Sequence, residues 1–282
     1  MLYLLQYLFI ENWGVLRIFK SITIRASIAF GIAFLFMLVF GKPFIAWLKK
    51  KKYGDTARED GPQTHQTKSG TPTMGGLLII GAILFATLIS GNFMNKFVIF
   101  LFVITILFTS IGFYDDYLKL TRHKSGLSGK KKILGQLIIT GLTFGFIYKY
   151  GILNKTLDYS IINPLIKNSY VYIGPGLFFV FMMFVIIGSS NAVNLTDGLD
   201  GLVSGPIIIV SVTLFIITYL TGHYEYAKYL NLYHIRDAAE ITVYLAAVVG
   251  ALIGFLWFNF YPAQVFMGDT GSLTLGGILG VI

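Results

Sequence analysis

Five aspartates stand at the ends of apolar stretches, and they are the residues of this chain best placed to do chemistry. They are Asp115 and Asp116, Asp197 and Asp200, and Asp269. If the stretches are membrane helices, alternation of the chain across the bilayer places all five carboxylates on one side. Adjacent carboxylates repel each other unless a cation compensates. The pattern therefore favours a hard, oxygen-seeking cation such as Mg²⁺, brought together with a phosphorylated substrate.

Each acid also has a simpler explanation. A single aspartate at a helix end is commonly a solvated cap. Asp197 and Asp200 share a face only if a helix begins there, and because each is followed by glycine a turn is an equal alternative. Asp269 lies in a Gly-Asp-Thr-Gly-Ser sequence whose backbone N–H groups could serve an anion or a cap. Convergence of three acidic loops favours a site over three separate caps.

Lysines flank the aspartate pair. Lys119 and the run Lys130 to Lys132 could anchor the chain at the membrane surface, or one or two of them could neutralise a diphosphate. The four histidines are scattered and cysteine is absent, so a zinc site is not expected.

The elements that must position these residues are membrane helices. Of 282 residues, 55% are hydrophobic and 12% charged, and the mean hydropathy is +0.73. Charge-free runs cover residues 26–41, 73–90, 97–114, 133–148, 171–190, 201–222 and 241–258. With their flanks, such runs cross or nearly cross a hydrocarbon core of about 30 Å. We expect an all-α, polytopic transmembrane bundle of about eight helices, forming one domain over residues 1–282.

The two ends of the chain carry shorter apolar segments. A run from Ser272 to Ile282 has 11 residues, about half of what a span requires, and it predicts a chain cut within a helix. We expect such a form to be catalytically inactive, because one wall of its site would be missing. Met1 to Ile10 is read as an interfacial segment rather than a signal peptide.

The basic residues predict the orientation in the membrane. Twelve of the 22 Lys and Arg residues fall in the loops after the first and third helices, namely Lys49, Lys50, Lys51, Lys52, Arg58, Lys68, Lys119, Arg122, Lys124, Lys130, Lys131 and Lys132. The positive-inside rule makes that face cytoplasmic and the N-terminus external. The net charge of +9 is thus mainly an orientation signal, and no nucleic-acid partner is expected.

One polar stretch, Lys49 to Thr71, leads into the second helix. It ends in Thr-Lys-Ser-Gly-Thr-Pro-Thr-Met-Gly-Gly at 67–76. Thr71-Pro72 favours a helix start, and Gly75-Gly76 permits close approach of backbone, of a ligand or of a packed helix.

Four motifs, taken in this order at helix ends, carry a resemblance to a known family. They are the 67–76 segment, Asp-Asp-Tyr-Leu-Lys at 115–119, Asn-Ala-Val-Asn-Leu-Thr-Asp-Gly-Leu-Asp-Gly-Leu at 191–202, and Phe-Met-Gly-Asp-Thr-Gly-Ser-Leu at 266–273. Together they resemble the phospho-N-acetylmuramoyl-pentapeptide-transferase family, within the polyprenyl-phosphate N-acetylhexosamine-1-phosphate transferase superfamily. That family has ten transmembrane helices and a late cytoplasmic loop with three histidines, and neither the last helices nor the loop occurs here.

The resemblance implies a reaction in the bacterial inner membrane with its active site on the cytoplasmic face. Phospho-N-acetylmuramoyl-pentapeptide would move from UDP to undecaprenyl phosphate, releasing UMP, with Mg²⁺ as cofactor. The partners implied are therefore UDP-N-acetylmuramoyl-pentapeptide, undecaprenyl phosphate and membrane lipids. A homodimer is also compatible with the resemblance.

The same resemblance assigns roles to residues. Asp115 would activate the lipid phosphate, with Asp116 beside it as a further catalytic residue and Asp269 as a catalytic Mg²⁺ ligand. Substrate contacts would come from Lys68, Thr73, Lys119, Lys132, Asn194, Asp197, Gly198, Asp200, Asn259 and Phe266, the last stacking on uracil.

A sister transferase that moves N-acetylglucosamine-1-phosphate is the nearest alternative, because it would share the aspartate loops. The segments Pro72 to Gly76 and Asn191 to Leu202 fit the muramoyl enzymes better.

Two alternatives come from other classes. An intramembrane aspartyl protease is suggested by Tyr114-Asp115 and Met267-Gly268-Asp269, but Phe266 stands where that motif has glycine. A proton-coupled transporter is disfavoured because no acid interrupts the middle of an apolar run.

Overall fold

The structure is a computed structural model that describes residues 1–9, 14–51, 71–121, 126–152, 159–162 and 170–282. Its helices are α1 (Leu2–Phe9), α2 (Ile22–Lys50), α3 (Gly75–Ser90), α4 (Lys96–Thr121), α5 (Gly129–Ile147), α6 (Gly174–Thr196), α7 (Ser204–Thr221), α8 (Tyr224–Tyr229), α9 (Ile241–Asn259) and α10 (Gly268–Val281). Short 3₁₀ helices occupy Gly14–Lys20 and Ala238–Glu240, and a π-helical turn covers Tyr148–Ile152. Strands β1 (Ser160–Ile162) and β2 (Tyr170–Tyr172) form an antiparallel hairpin.

Every apolar run of the sequence forms a helix over most of its length, which confirms the all-α prediction. Within the described residues, six helical segments are long and apolar enough to cross a membrane, and α3 is a shorter apolar helix of 16 residues. The protein is therefore a multi-pass membrane protein.

The helices extend beyond the apolar runs at the ends that matter for chemistry. Helix α4 continues through the aspartate pair to Thr121, and α10 begins at Gly268 instead of Ser272. Helix α6 begins only at Gly174, because residues 170–172 pair with β1 and Pro175 suits the first turn of a helix. Residues 197–203 form turns, so the turn alternative for Asp197 and Asp200 is the correct one.

Helix α9 is the centre of the bundle. Buried residues make up 83% of its apolar window, compared with 17–33% for the other five spans. Helices α2, α3 and α7 pack around α9, and α10 packs against α4 and α6. Because α3 contacts both α9 and α10, it joins the two groups of helices.

A buried ion pair closes the end of the bundle opposite to the aspartates. The guanidinium of Arg25 in α2 donates to both carboxylate oxygens of Glu240, at 2.6 and 2.7 Å. The Arg25 side chain is fully buried and that of Glu240 is 11% exposed. A bidentate contact of this kind fixes the start of α2 against the start of α9.

Candidate active site

The ends of five helices, α3, α4, α5, α6 and α10, meet at the aspartate end of the bundle, and glycines bring the backbones of α3, α4 and α10 together. A Cβ atom at Gly112 of α4 would collide with the backbone of Asp269 and Thr270 in α10. A Cβ at Gly76 of α3 would likewise collide with the backbone of Gly271. Absence of these two side chains lets α10 begin directly against α3 and α4. The glycine pair of the sequence thus serves a close approach of backbones.

Two carboxylates and two ammonium groups form the middle of the site. The Lys119 Nζ lies 2.7 Å from Asp115 Oδ2 and 3.0 Å from Asp269 Oδ1. The Lys132 Nζ lies 2.9 Å from Asp115 Oδ2 and 2.6 Å from Asp269 Oδ2. Asp115 is fully buried, and its other oxygen accepts the backbone N–H of Leu127 at 2.6 Å. We call these four side chains the carboxylate–lysine cluster.

Asp116 has a different task from its neighbour. Its carboxylate accepts the backbone N–H groups of Asp269 and Thr270, at 3.1 and 2.9 Å, and the Thr270 hydroxyl at 2.6 Å. The first N–H groups of a helix have no partner within the helix. Asp116 supplies that partner from α4, so it caps α10 and holds Asp269 in place.

Helix α6 contributes an amide to the same place. Asn194 donates from Nδ2 to Asp269 Oδ1 at 3.0 Å and to the Ser272 hydroxyl at 2.9 Å. Asp269 is therefore approached from α4, α5 and α6 at once.

Asp197 lies immediately beyond α6, close to the start of α10. Burial and the nearby carboxylate of Asp269 together raise the pKa of Asp197 to about 7, although the backbone N–H of Gly268 opposes the change.

Two of the predicted substrate residues hold loops in the structure. Asp200 accepts the backbone N–H of Ala263 at 3.1 Å. Asn259 is buried, donates to the carbonyl of Val265 at 2.9 Å and accepts the N–H of Gly201 at 3.0 Å. Both side chains tie the turn after α6 to the loop after α9, and their contacts with substrate stay predictions.

The remaining predicted residues lie around the cluster or outside the described chain. A Cβ at Gly268 would meet the hydroxyl of Thr73 and the carboxylate of Asp116 at 2.9 Å, so Thr73 belongs to the site. Phe266 is partly buried beside α3, and its carbonyl accepts the N–H of Gly75 at 2.8 Å. Gly198 is exposed in the turn after α6. Lys68 lies outside the described residues.

The residues present fit a divalent cation. Ligand atoms of Asp115, Asp116 and Asp269 lie within 4.8 Å of one another. Both oxygens of Asp116 already accept hydrogen bonds from α10. The oxygens of Asp115 and Asp269 instead face two ammonium groups, which shows that this pair holds positive charge. Carboxylate oxygens are also the ligands that Mg²⁺ prefers.

Sequence reasoning missed several polar residues behind the site. Thr270 binds Asp116, and Gln136 and Ser190 form a hydrogen-bonded group between α5 and α6 together with Asn191, which belongs to the 191–202 motif. Their signal was the presence of polar side chains on otherwise apolar helices, which are costly in a membrane without partners.

The fold and the site together define a multi-pass membrane protein with an acidic and basic cluster at the ends of its helices. A family model for glycosyl transferase family 4 matches residues 98–282. A signature of the phospho-N-acetylmuramoyl-pentapeptide-transferases matches residues 68–80.

Curated relatives cover nearly the whole chain. A phospho-N-acetylmuramoyl-pentapeptide-transferase of Fusobacterium nucleatum is 49% identical over 278 residues, which are 98% of this chain and 76% of the relative. Proteins of the same name from Thermodesulfovibrio yellowstonii and Leptospira biflexa are 42% and 44% identical, over 99% and 96% of this chain and 77% and 76% of the relatives. The chain belongs to glycosyl transferase family 4 and, within it, to the phospho-N-acetylmuramoyl-pentapeptide-transferase family. This confirms the resemblance drawn from the four motifs.

Proposed function

We propose that this protein transfers phospho-N-acetylmuramoyl-pentapeptide from UDP to undecaprenyl phosphate, releasing UMP. The product is the first lipid-linked intermediate of peptidoglycan synthesis. One observation carries the proposal beyond family membership: Asp115 and Asp269, on separate helices, share two lysine ammonium groups where the helices end. A site of this composition suits a reaction between anionic phosphates.

The chemistry exchanges one phosphoanhydride for another. An oxygen of the lipid phosphate attacks the phosphorus that bears the sugar, the bond to the second phosphate breaks, and UMP leaves with the electron pair. Such a transfer depends mainly on alignment of the phosphates and on neutralisation of their charge. A bound Mg²⁺ would polarise the phosphoryl oxygens and balance part of that charge.

Each side chain of the carboxylate–lysine cluster has its own role in this reaction. Asp115 activates the lipid phosphate, and Asp269 is a Mg²⁺ ligand. Lys119 and Lys132 move from the carboxylates to the phosphates when the substrates bind, which is supported by the exposure of their side chains, 41% and 17%. Asp116 keeps α10 in register through its three hydrogen bonds.

The nucleotide lies next to the cluster, over the turn that follows α6. Asn194, Asp197 and Gly198 border this turn, Thr73 lies beside Gly268 at the start of α10, and Phe266 lies beside Gly75 at the start of α3. Phe266 stacks on uracil. Asp200 and Asn259 act there by holding the loops together. Lys68 contacts phosphate or the uridine in this proposal.

The arrangement in the membrane follows from the basic residues. The site lies on the cytoplasmic face of the bacterial inner membrane, and the N-terminus is external. Apolar helix faces hold the polyprenyl tail of the acceptor. A homodimer remains part of the proposal.

The cluster argues against an aspartyl protease. Two catalytic aspartates of a protease share a proton because both cannot be ionised at short distance. Here each carboxylate contacts two lysine ammonium groups, and this balance of charge suits anionic phosphates.

The test is release of UMP, in lipid vesicles that contain undecaprenyl phosphate, by a chain that has the full length of the curated relatives. We expect UMP only when the muramoyl-pentapeptide nucleotide, the lipid phosphate and Mg²⁺ are all present. UDP-N-acetylglucosamine is the matched control donor, and it should give none. Release from the control donor alone would support the sister transferase, and peptide cleavage without UMP would support the protease.

Residue roles are tested in the same assay. Asp269→Asn should lower turnover by about 100-fold or more, while nucleotide binding without metal survives. Asp115→Asn should change the pH profile as well as the rate, because a base leaves its mark on both. Wild-type Mg²⁺ dependence in the first variant, or a wild-type pH profile at wild-type rate in the second, would reassign that residue.

A further inference from the structure

A second layer of polar contacts lies about one helical turn below the carboxylate–lysine cluster. Gln136 in α5 donates from Nε2 to the hydroxyl of Ser190 in α6 at 3.0 Å, and its Oε1 accepts from Asn191 Nδ2 at 2.9 Å. The Ser190 hydroxyl donates onward to the carbonyl of Leu273 in α10 at 2.9 Å. Gln136 and Ser190 are fully buried. One side chain thus joins the three helices α5, α6 and α10.

Each member of this layer has a counterpart in the active site four residues away. Gln136 follows Lys132, Ser190 precedes Asn194, and Leu273 follows Asp269. Residues four apart lie on the same helix face, about 6 Å apart along the axis. The two layers are therefore stacked: Lys132, Asn194 and Asp269 meet above, and Gln136, Ser190 and the Leu273 carbonyl meet below.

Helix α5 depends on this layer for its register. Its buried residues are Gln136, Ile139, Thr140 and Thr143, and the rest of the helix is partly or fully exposed. The hydroxyls of Thr140 and Thr143 donate to carbonyls of α5 itself, at Gln136 and Ile139. Among the hydrogen bonds of the described residues, side chains of the buried face of α5 reach α6 through Gln136.

Lys132 needs such a fixed support. Its ammonium group must reach two carboxylates on two other helices, Asp115 at 2.9 Å and Asp269 at 2.6 Å. Its flexible four-carbon stem would allow many other positions. A rotation or shift of α5 by a fraction of a turn would separate Lys132 from at least one carboxylate.

We propose that Gln136 is a positioning residue for the transfer reaction, which fixes α5 against α6 and α10 so that Lys132 is aimed at the reacting phosphates. This inference rests on the proposed function. It assigns a role in the reaction to Gln136, a buried residue that touches neither substrate nor reacting atoms and acts through Lys132.

The first experiment needs no turnover. Native membranes are treated with an amine-acetylating reagent, and acetylation is followed at each lysine by mass spectrometry. In Gln136→Leu we expect Lys132 to react roughly tenfold faster than in the wild type, the scale of losing a hydrogen bond to a charged group. Lys119, on the undisturbed α4, should change by less than about twofold.

Two further variants keep the experiment decisive. Thr143→Val removes a hydroxyl from the same buried face of α5, where it donates to the carbonyl of Ile139 and not to the layer, and Lys132 should then react as in the wild type. Ser190→Ala breaks the same contact from α6 with a smaller change, so it replaces Gln136→Leu if that variant does not fold. Unchanged acetylation of Lys132 in a folded variant, or an equal increase at Lys119, would overturn the proposal.

The second experiment tests whether the position of Lys132 affects the rate of turnover. UMP release by Gln136→Leu should show kcat lowered by about 10- to 100-fold, with both KM values changed far less. In a Lys132→Met background, Gln136→Leu should cause no further loss, because residues that act as one unit are not additive. A further loss would indicate a merely structural role, and faster acetylation with unchanged kcat would also contradict the proposal. If the wild type released no UMP, the proposed function would fail while the acetylation result still decided the position of Lys132.

Discussion

Lys132 and Asp269 lie 2.6 Å apart, Nζ to Oδ2, although they belong to different helices and are separated by 137 residues. The ammonium group contacts both of the carboxylates that suit a divalent cation best. The lysine and the metal therefore compete for the same oxygens until the phosphates of the substrate attract the ammonium away.

Removal of that ammonium group should strengthen metal binding. In Lys132→Met we expect the Kd for Mn²⁺ without substrate to fall about tenfold or more, because a neighbouring positive charge is lost. UMP release should decrease in the same variant. Binding is measured by electron paramagnetic resonance of Mn²⁺ in lipid discs.

The matched control for this experiment is Lys131→Met. Lys131 is the preceding residue and is exposed, so its variant should bind Mn²⁺ as the wild type does. Weaker Mn²⁺ binding by Lys132→Met would show that the lysine assists the cation instead of competing with it.

Thr270→Val should loosen the cap that Asp116 provides. Valine keeps the shape of threonine but removes the hydroxyl that lies 2.6 Å from the buried carboxylate. We expect a loss of about 1–2 kcal/mol in the free energy of unfolding, together with slower UMP release. Stability is compared by thermal scans in one detergent at one scan rate.

Thr213→Val makes the same chemical change on an exposed face of α7, where the hydroxyl binds only its own helix. It should leave stability and rate almost unchanged. A Thr270→Val protein as stable and as fast as this control would mean that the backbone N–H groups alone suffice for the cap.

The raised pKa of Asp197 predicts that the stability of the protein depends on pH in metal-free detergent. Its pKa of about 7 lies above the ordinary value of 3.8, so the folded protein holds this proton more tightly than the unfolded chain does. Stability is therefore lost as the pH rises from about 4 to about 7. Asp197→Asn carries no such charge, and it should match the wild type at pH 4 and exceed its melting temperature at pH 8.

The control is Asp237→Asn, which changes an exposed carboxylate in the same way. The difference in melting temperature between this variant and the wild type should not depend on pH. A constant difference for Asp197→Asn between pH 4 and pH 8 would contradict the shifted pKa.

The buried ion pair at the other end should be costly to break from one side. Arg25→Met leaves the Glu240 carboxylate without its partner in a buried position, at an expected cost of about 3–5 kcal/mol. The double variant Arg25→Met with Glu240→Leu removes both charges and should recover most of that loss. Thermal scans of the three proteins give the comparison, and a double variant as unstable as the single one would disprove it.

Much of the site could be predicted because the sequence determines the helices and the helices determine which ends meet. Apolar runs predict α2 to α7 and α9, a shorter run predicts α10, and alternation across a bilayer places Asp115, Asp197 and Asp269 at one end. The four motifs identify the family without any coordinates. Both conclusions rest on local composition and on the order of the motifs along the chain, and these can be read directly from the sequence.

Only the tertiary structure decided what each polar group does there. Asp115 and Asp116 are neighbours in sequence, yet one faces two lysines and the other caps α10, because adjacent helical residues point in directions about 100° apart. Asn259 proved to hold loops, and Gln136 proved to join α5 to α6, where Ser190 extends the contact to α10. These contacts join residues that are 6 to 154 positions apart in the sequence. They depend on how closely the helix backbones approach one another at Gly76 and Gly112. No single segment of the sequence specifies that distance.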